Sequence, residues 1–263
     1  MKDQISIEVH NLTVSYGAGP VLWDVDFELP TGKIIGVIGP NGSGKTTLLK
    51  TIMGLLEPSS GYVKIQNKSL NEVRDKIAYV PQRTSVDWDF PASVYDVVMM
   101  GRYGKRNLIR RPNNADVEIV EQSIQKVGLS DFRDRQISQL SGGQQQRVFI
   151  ARALAQKADI YLLDEPFAGV DAATESSIIS ILEEMRNEGK TVLIIHHDLQ
   201  TVLEHFEYLV LLNTRLIAKG NLQEVFTKEN LSNAYGGQLT LLSKVVEIIK
   251  ATDFPIREKD VDL

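Results

Sequence analysis

The stretch Gly39-Pro40-Asn41-Gly42-Ser43-Gly44-Lys45-Thr46-Thr47 has the residue types and spacing with the most definite chemistry. It satisfies the phosphate-binding pattern G-x-x-x-x-G-K-[ST] at every constrained position. Glycines let the backbone turn its N–H groups inward around a phosphate, and a helix starting at the loop adds its positive dipole end. The Lys45 ammonium can then reach β- and γ-phosphates, and the Thr46 hydroxyl can ligate Mg²⁺. A glycine-rich turn with a surface lysine is the competing reading, and the flanks argue against it. Lys33 to Ile38 reads as a buried strand, and Leu48 to Met53 as a helix ended by Gly54.

Other groups could act on a bound phosphate. The apolar run Ile160-Tyr161-Leu162-Leu163 ends in Asp164-Glu165. Acids at the tip of a buried strand are costly unless they meet a cation or a proton-transfer task. Asp164 suits the Mg²⁺ shell, and Glu165 suits a general base for an attacking water; salt-bridged surface acids are the alternative. Gln82 follows the strand Ile77 to Val80, at the end where ligands sit in parallel α/β sheets. From there it could reach the metal shell or the water, though a solvent-facing glutamine fits equally. Ser141, an N-cap ahead of Gly142-Gly143-Gln144, opens a second helix start suited to an anion. Tyr16, at a strand end, could stack on a base or sit half-buried in the core. The strand Thr191 to Ile195 delivers His196-His197-Asp198, where either histidine could sense a γ-phosphate. A metal site there conflicts with neighbouring side chains of an extended chain pointing to opposite faces.

These residues need elements to hold them. Ile5 to Val9, continued by Leu12 and Val14, alternates as a half-buried strand. After a turn at Gly17-Ala18-Gly19-Pro20, Trp23, Val25, Phe27 and Leu29 alternate again, so antiparallel β structure precedes the phosphate loop. Tyr62 to Ile65 is a further strand. From Arg83 to Gln139 the β character fades, with helices expected over Ser93–Met100 and Ala115–Val127. Val117, Val120, Ile124 and Val127 form the inward stripe of the second, and Gly128 its C-terminal stop. Trp88, Phe90 and Pro91 lie in the loop that opens this insert, and Lys105, Arg106, Arg110 and Arg111 form a basic cluster within it. Val148, Ala151, Leu154 and Ala155 mark one helix face, and Ile178, Ile181, Leu182 and Met185 another. Tyr208–Leu212 and Arg215–Ala218 suggest a hairpin. Leu242, Val245, Val246 and Ile249 make a C-terminal helical stripe, with a frayed tail from Asp253.

The 263 residues, 43% hydrophobic, suffice for one large domain with a subdomain. No apolar run approaches the ~18 residues needed to cross a bilayer, and no secretory apolar region follows Met1. With no cysteine there is no disulfide or thiolate metal site. A net charge of −5 gives no reason to expect nucleic acid.

With these motifs in order, the chain resembles the ATPase subunit of an ATP-binding cassette (ABC) transporter, from about Ile5 to Ala234. The signature Leu140-Ser141-Gly142-Gly143-Gln144 after a helical insert is the most specific part. The resemblance implies an α/β fold, with a P-loop NTPase core, an N-terminal antiparallel β subdomain and an inserted α-helical signature subdomain. The ATPase domain would span residues 1–235, with the insert at about 83–155, and residues 236–263 would be a C-terminal helix and tail. It also implies ATP and Mg²⁺, the metal held by Thr46, Gln82 and Asp164. Tyr16 would stack on adenine, Glu165 would orient water, Asp171 would join the nucleotide contacts, and His197 rather than His196 would read the γ-phosphate. Two copies would pack head to tail, Ser141 and Gly143 of one facing the phosphate held by Lys45 of the other.

A narrower resemblance is to importers of manganese, zinc or iron chelates. It rests on Val80-Pro81-Gln82-Arg83, Val86-Asp87-Trp88-Asp89-Phe90-Pro91, Val97-Val98-Met99-Met100-Gly101-Arg102 and the run Leu163 to Asp171. Manganese is favoured, zinc next, with an iron chelate as the alternative. The implied partners are two membrane permease subunits, with a metal-binding protein outside the cell acting indirectly. The implied place is the cytoplasmic face of the membrane, peripheral to it. A soluble ABC protein would usually carry two cassettes or long insertions. A P-loop kinase leaves the signature unexplained, and exporter ATPases are often fused to a membrane domain.

Overall fold

A computed structural model describes residues 4–17, 19–103 and 112–236 of the chain. The basic cluster from Lys105 to Arg111, the C-terminal stripe and the tail lie outside the described residues. The first alternating segment forms β1 (Ile5–Ser15), with Ile7, Val9, Leu12 and Val14 buried. The second forms β2 (Pro20–Pro30), paired antiparallel to β1. One expectation fails here. Trp23 is not on the buried face, because Asp24 takes a left-handed φ of 52° and reverses the alternation. Leu22 fills the inward place, and the Trp23 ring, 50% exposed, is covered by the Arg215 guanidinium at 4.1 Å.

Along the chain follow β3 (Ile34–Ile38), α1 (Lys45–Ile52), β4 (Ser60–Ile65), β5 (Lys68–Ser69), α2 (Leu70–Val73) and β6 (Ile77–Val80). The insert supplies α3 (Val94–Tyr103) and α4 (Asn114–Lys126), then α5 (Gly142–Ala155). Next come β7 (Ile160–Asp164), α6 (Ala172–Asn187), β8 (Thr191–Ile195) and α7 (Val202–His205). The last described elements are β9 (Tyr208–Asn213), β10 (Arg215–Asn221), α8 (Leu222–Val225) and α9 (Lys228–Tyr235).

These elements fall into two units: residues 1–70 with 195–263, and residues 71–194. The first holds the antiparallel sheet β2-β1-β4-β5, and β9 paired parallel to β3 and antiparallel to β10. Every residue of β3 is buried, as an apolar parallel strand covered on both faces should be. In the second unit β6 runs parallel to β7, Tyr79 opposite Leu162 and Val80 opposite Leu163. This is the α/β architecture expected, with antiparallel β structure ahead of the loop and helices in the insert.

The second unit shows how its helices are fixed. Asn113 and Asp116 cap α4 reciprocally, each side chain accepting the other's backbone N–H. Asp116 also receives Arg102 Nε at 3.0 Å, and Arg102 Nη1 donates to the Ala155 carbonyl at 2.6 Å. One arginine thus joins the end of α3, the start of α4 and the end of α5. On α5 the inward face is Val148, Ala151 and Ala155 as expected, with Ile150 and Ala153 also buried; Leu154 is only half-buried. The α3–α5 approach is close enough that a Cβ on Gly101 would collide with the Arg152 carbonyl oxygen, a backbone atom that cannot swing away. Gly101→Ala should therefore destabilise the protein by about 1–3 kcal/mol through overpacking. A lowered urea midpoint at unchanged m-value would register it, and an unchanged midpoint would contradict the close approach.

Candidate active site

The phosphate loop lies in the first unit between β3 and α1. Three of its glycines have positive φ: Gly39 at 155°, Gly42 at 80° and Gly44 at 97°. A Cβ on Gly39 would collide with the Leu212 carbonyl of β9, and one on Gly44 would meet Leu22 Cδ2 at 2.5 Å and the Val21 carbonyl at 2.9 Å. The loop is thus pressed onto β2 and β9. Gly44 is the N-cap of α1 and brings no side chain over the helix start, so the positive end of the dipole faces the loop. Helix α1 begins at Lys45 itself, which places Lys45, Thr46 and Thr47 in its first turn. Pro40 closes the loop by accepting the Ser43 N–H at 3.2 Å, and Asn41 and Gly42 are exposed at its tip.

The Lys45 ammonium is buried and donates to the Gly39 and Pro40 carbonyls at 2.8 and 2.9 Å. It is held over the loop it would serve. The Ser43 hydroxyl is buried without a hydrogen-bond partner. An orphaned hydroxyl inside a cradle that a Cβ would obstruct fits a phosphate of ATP. In the same unit Tyr16 lies just past β1, 55% exposed, as base stacking requires. Beyond β8, His196 is buried and His197 exposed, the opposite orientation of neighbours that extended chain dictates. Burial, with the adjacent His197 adding to it, pushes the His196 pKa down to about 4, so the ring is neutral at physiological pH.

The second unit gathers the acids and the signature. Asp164 ends β7 and is 3% exposed. The Tyr79 hydroxyl donates to it, and the Tyr79 pKa is pushed up to about 12, by burial first and by the Asp164 charge second. Glu165 holds a left-handed φ of 50°, unusual for a residue with a Cβ, and its Oε2 accepts from Gln82 Nε2 at 2.9 Å. Gln82 and Glu165, far apart in sequence, are therefore partners. Ser141 caps α5: its Oγ accepts the Gln144 N–H at 3.3 Å, and its own N–H donates to Gln144 Oε1 at 2.9 Å. Because the hydroxyl acts there as acceptor, its hydrogen remains to be donated. A Cβ on Gly142 would run into the Arg83 guanidinium, and one on Gly143 would meet Thr174 Oγ1 at 2.8 Å. Asp171 caps α6 through the Thr174 N–H at 2.7 Å, and that bond holds its carboxyl below the usual range.

Sequence reasoning passed over Tyr79, Arg83 and Thr201. Tyr79 and Arg83 are close along the chain to Gln82, and that proximity was the available signal. The loop aromatics also divide: Trp88 is tied down, its Nε1–H on the Arg83 carbonyl at 2.9 Å and its ring edge-on to Phe149, whereas Phe90 is 51% exposed.

Residues 22–168 match the family model for the ABC transporter. The chain is 57% identical over 240 residues to the manganese transport system ATP-binding protein MntB of Bacillus subtilis, covering 91% of this chain and 96% of that protein. It is 53% identical over 235 residues to the zinc transport system ATP-binding protein TroB of Treponema pallidum, covering 89% and 88%. Among solved structures it is similar to the dimeric structure of MJ0796, a bacterial ABC transporter cassette. That match has a TM-score of 0.73 and 29% identity, covering 82% of this chain and 98% of that one.

The buried neutral His196 predicts a pH dependence of stability. Its folded-state pKa of about 4 lies below the ordinary 6.5, so between these values the unfolded chain binds more protons. Stability should be full above pH 6.5 and fall by about 3 kcal/mol as pH drops toward 4. In His196→Gln that part of the acid slope should be missing from urea unfolding measured across the window; an unaltered slope would assign it to other groups.

Proposed function

The chain belongs to the ABC transporter family as an ATPase subunit, and on that premise we propose that it powers import of a transition-metal ion, manganese before zinc. The observation that carries this is near-full-length identity of 57% to a manganese transport ATP-binding protein. The similarity to a zinc transport ATP-binding protein supports zinc as the second reading. The ion is cargo of the permease subunits rather than of this chain. Among the described residues no group of His, Asp and Glu is arranged to hold a metal, and no helix is long and apolar enough to cross a membrane. On this reading the subunit sits at the cytoplasmic face of the membrane, against two permease subunits fed by a metal-binding protein outside the cell.

The residues support a division of labour for hydrolysis. The backbone of Gly39 to Thr47 cradles the phosphates, and Lys45 exchanges its loop carbonyls for β- and γ-phosphate oxygens. Tyr16 stacks on the adenine. Thr46, Gln82 and Asp164 would hold Mg²⁺, which supplies charge neutralisation on the phosphate oxygens. Glu165, aimed by its unusual backbone and held by Gln82, orients the attacking water. The water oxygen bonds to the γ-phosphorus, the bond to the β–γ bridging oxygen breaks, and Glu165 takes the proton. His197 contacts the γ-phosphate from the exposed end of β8. In a head-to-tail pair, Ser141, Gly142, Gly143 and Gln144 of one copy meet the γ-phosphate of the other, with Asp171 beside the contact. Loss of that phosphate lets the pair open, and Gln82 with the helical insert of residues 83–155 passes the motion to the permease.

Two variants test this. Glu165→Gln should lower kcat by about 10²–10⁴ while ATP still binds. Cells carrying it should accumulate less manganese when manganese is scarce. Loss of zinc alone would move the assignment to zinc; unchanged metals with ATPase abolished would overturn metal import. Phe90→Asp, at an aromatic that is 51% exposed, should weaken co-purification with the permease and leave basal ATPase within about twofold. Undiminished co-purification would remove the Asp87–Pro91 loop from that interface.

A further inference from the structure

The segment joining β8 to α7 carries His197 and is closed on itself in an unusual way. The His196 N–H, one residue past β8, donates to the Val37 carbonyl at 3.1 Å. The His196 ring is packed against Phe206 at 5.3 Å between centroids, and Phe206 in turn lies where a Cβ on Gly36 would touch it at 3.0 Å. The ring is thus anchored to the core strand β3. Its Nε2 lies 2.8 Å from Thr201 Oγ1. Thr201 is the N-cap of α7, a position where a threonine hydroxyl ordinarily caps the helix, yet it makes no capping bond. The hydroxyl is diverted instead: it meets His196 and donates to the Asp198 carbonyl at 3.4 Å. The 2.8 Å separation makes His196 and Thr201 hydrogen-bond partners in either tautomer of the ring. Asp198 Oδ1 accepts the Gln200 N–H at 2.9 Å and tightens the turn inside the loop.

We propose that His196 is a positioning residue for the ATPase reaction: its bond to Thr201 latches the loop from His197 to Thr201 onto the core and so sets the place of the His197 ring. The inference rests on the reading that His197 contacts the γ-phosphate. The two rings lie 6.1 Å apart, the buried one gripping the loop and the exposed one facing outward. The neutral state of His196 suits the task, because a hydrogen-bonding ring holds the loop without setting a second positive charge beside His197. An unlatched loop would leave His197 to sample many places, and misplacement of a reacting contact by ~1 Å costs up to about 10²-fold in rate.

Steady-state ATPase kinetics of the full-length chain decide it. Thr201→Val removes the hydroxyl at nearly constant shape and should lower kcat about tenfold with KM for ATP unchanged. Thr201→Ser, and His196→Gln with an amide that can donate or accept in the place of Nε2, should restore kcat to within about twofold. In a His197→Ala background, Thr201→Val should cost nothing more, because the residue it positions is gone. Wild-type kcat in Thr201→Val, or an equal further loss in the His197→Ala background, overturns the proposal while the reading of His197 stands. Unchanged kcat in His197→Ala overturns that reading and this proposal with it.

Discussion

A phosphate cradle can turn its N–H groups inward only if the carbonyls it displaces are satisfied elsewhere. Here that requirement is met from beneath and from within. The Thr214 N–H, in the left-handed turn between β9 and β10, donates to the Ser43 carbonyl at 3.0 Å. The Thr214 carbonyl accepts the Trp23 N–H of β2 at 2.8 Å, so one turn couples loop and antiparallel sheet. Lys45 satisfies the Gly39 and Pro40 carbonyls. The same closeness explains why Gly39 and Gly44 tolerate no Cβ: the loop has β9 on one side and β2 on the other.

The acids pose the opposite problem, since charge at the end of a buried strand must be held without being neutralised. Asp164 accepts from the Tyr79 hydroxyl, a donor that itself stays neutral. Glu165 has the Gln82 amide, also neutral, and a left-handed backbone φ of 50°.

Much of this was legible in the sequence because it is local. The phosphate loop, the cap at Ser141 and the strand that ends in Asp164 are set by neighbours within a few residues. The face of α6 follows from helical period, and Ile178, Ile181, Leu182 and Met185 are all buried. The failures share one cause. Trp23 left the buried face because of a single left-handed residue, a choice the alternation of polar and apolar residues does not encode. Half-buried Leu154 depends on what packs against α5, not on α5. The contacts of Tyr79 with Asp164, Gln82 with Glu165 and Gly142 with Arg83 join residues far apart in sequence, and no short-range pattern records them.

The groups proposed to meet the nucleotide are held by local bonds of a particular kind. Lys45 binds carbonyls of its own loop, which a phosphate can replace without moving the helix. The Ser141 hydroxyl accepts from Gln144 and keeps its hydrogen, so a new acceptor adds a bond and removes none. At Ser141 the bond that stabilises the helix start also fixes the direction of the donor that remains. Because that ordering is done during folding, little further entropy is lost when nucleotide arrives, and interaction energy is available for hydrolysis rather than for arranging the site.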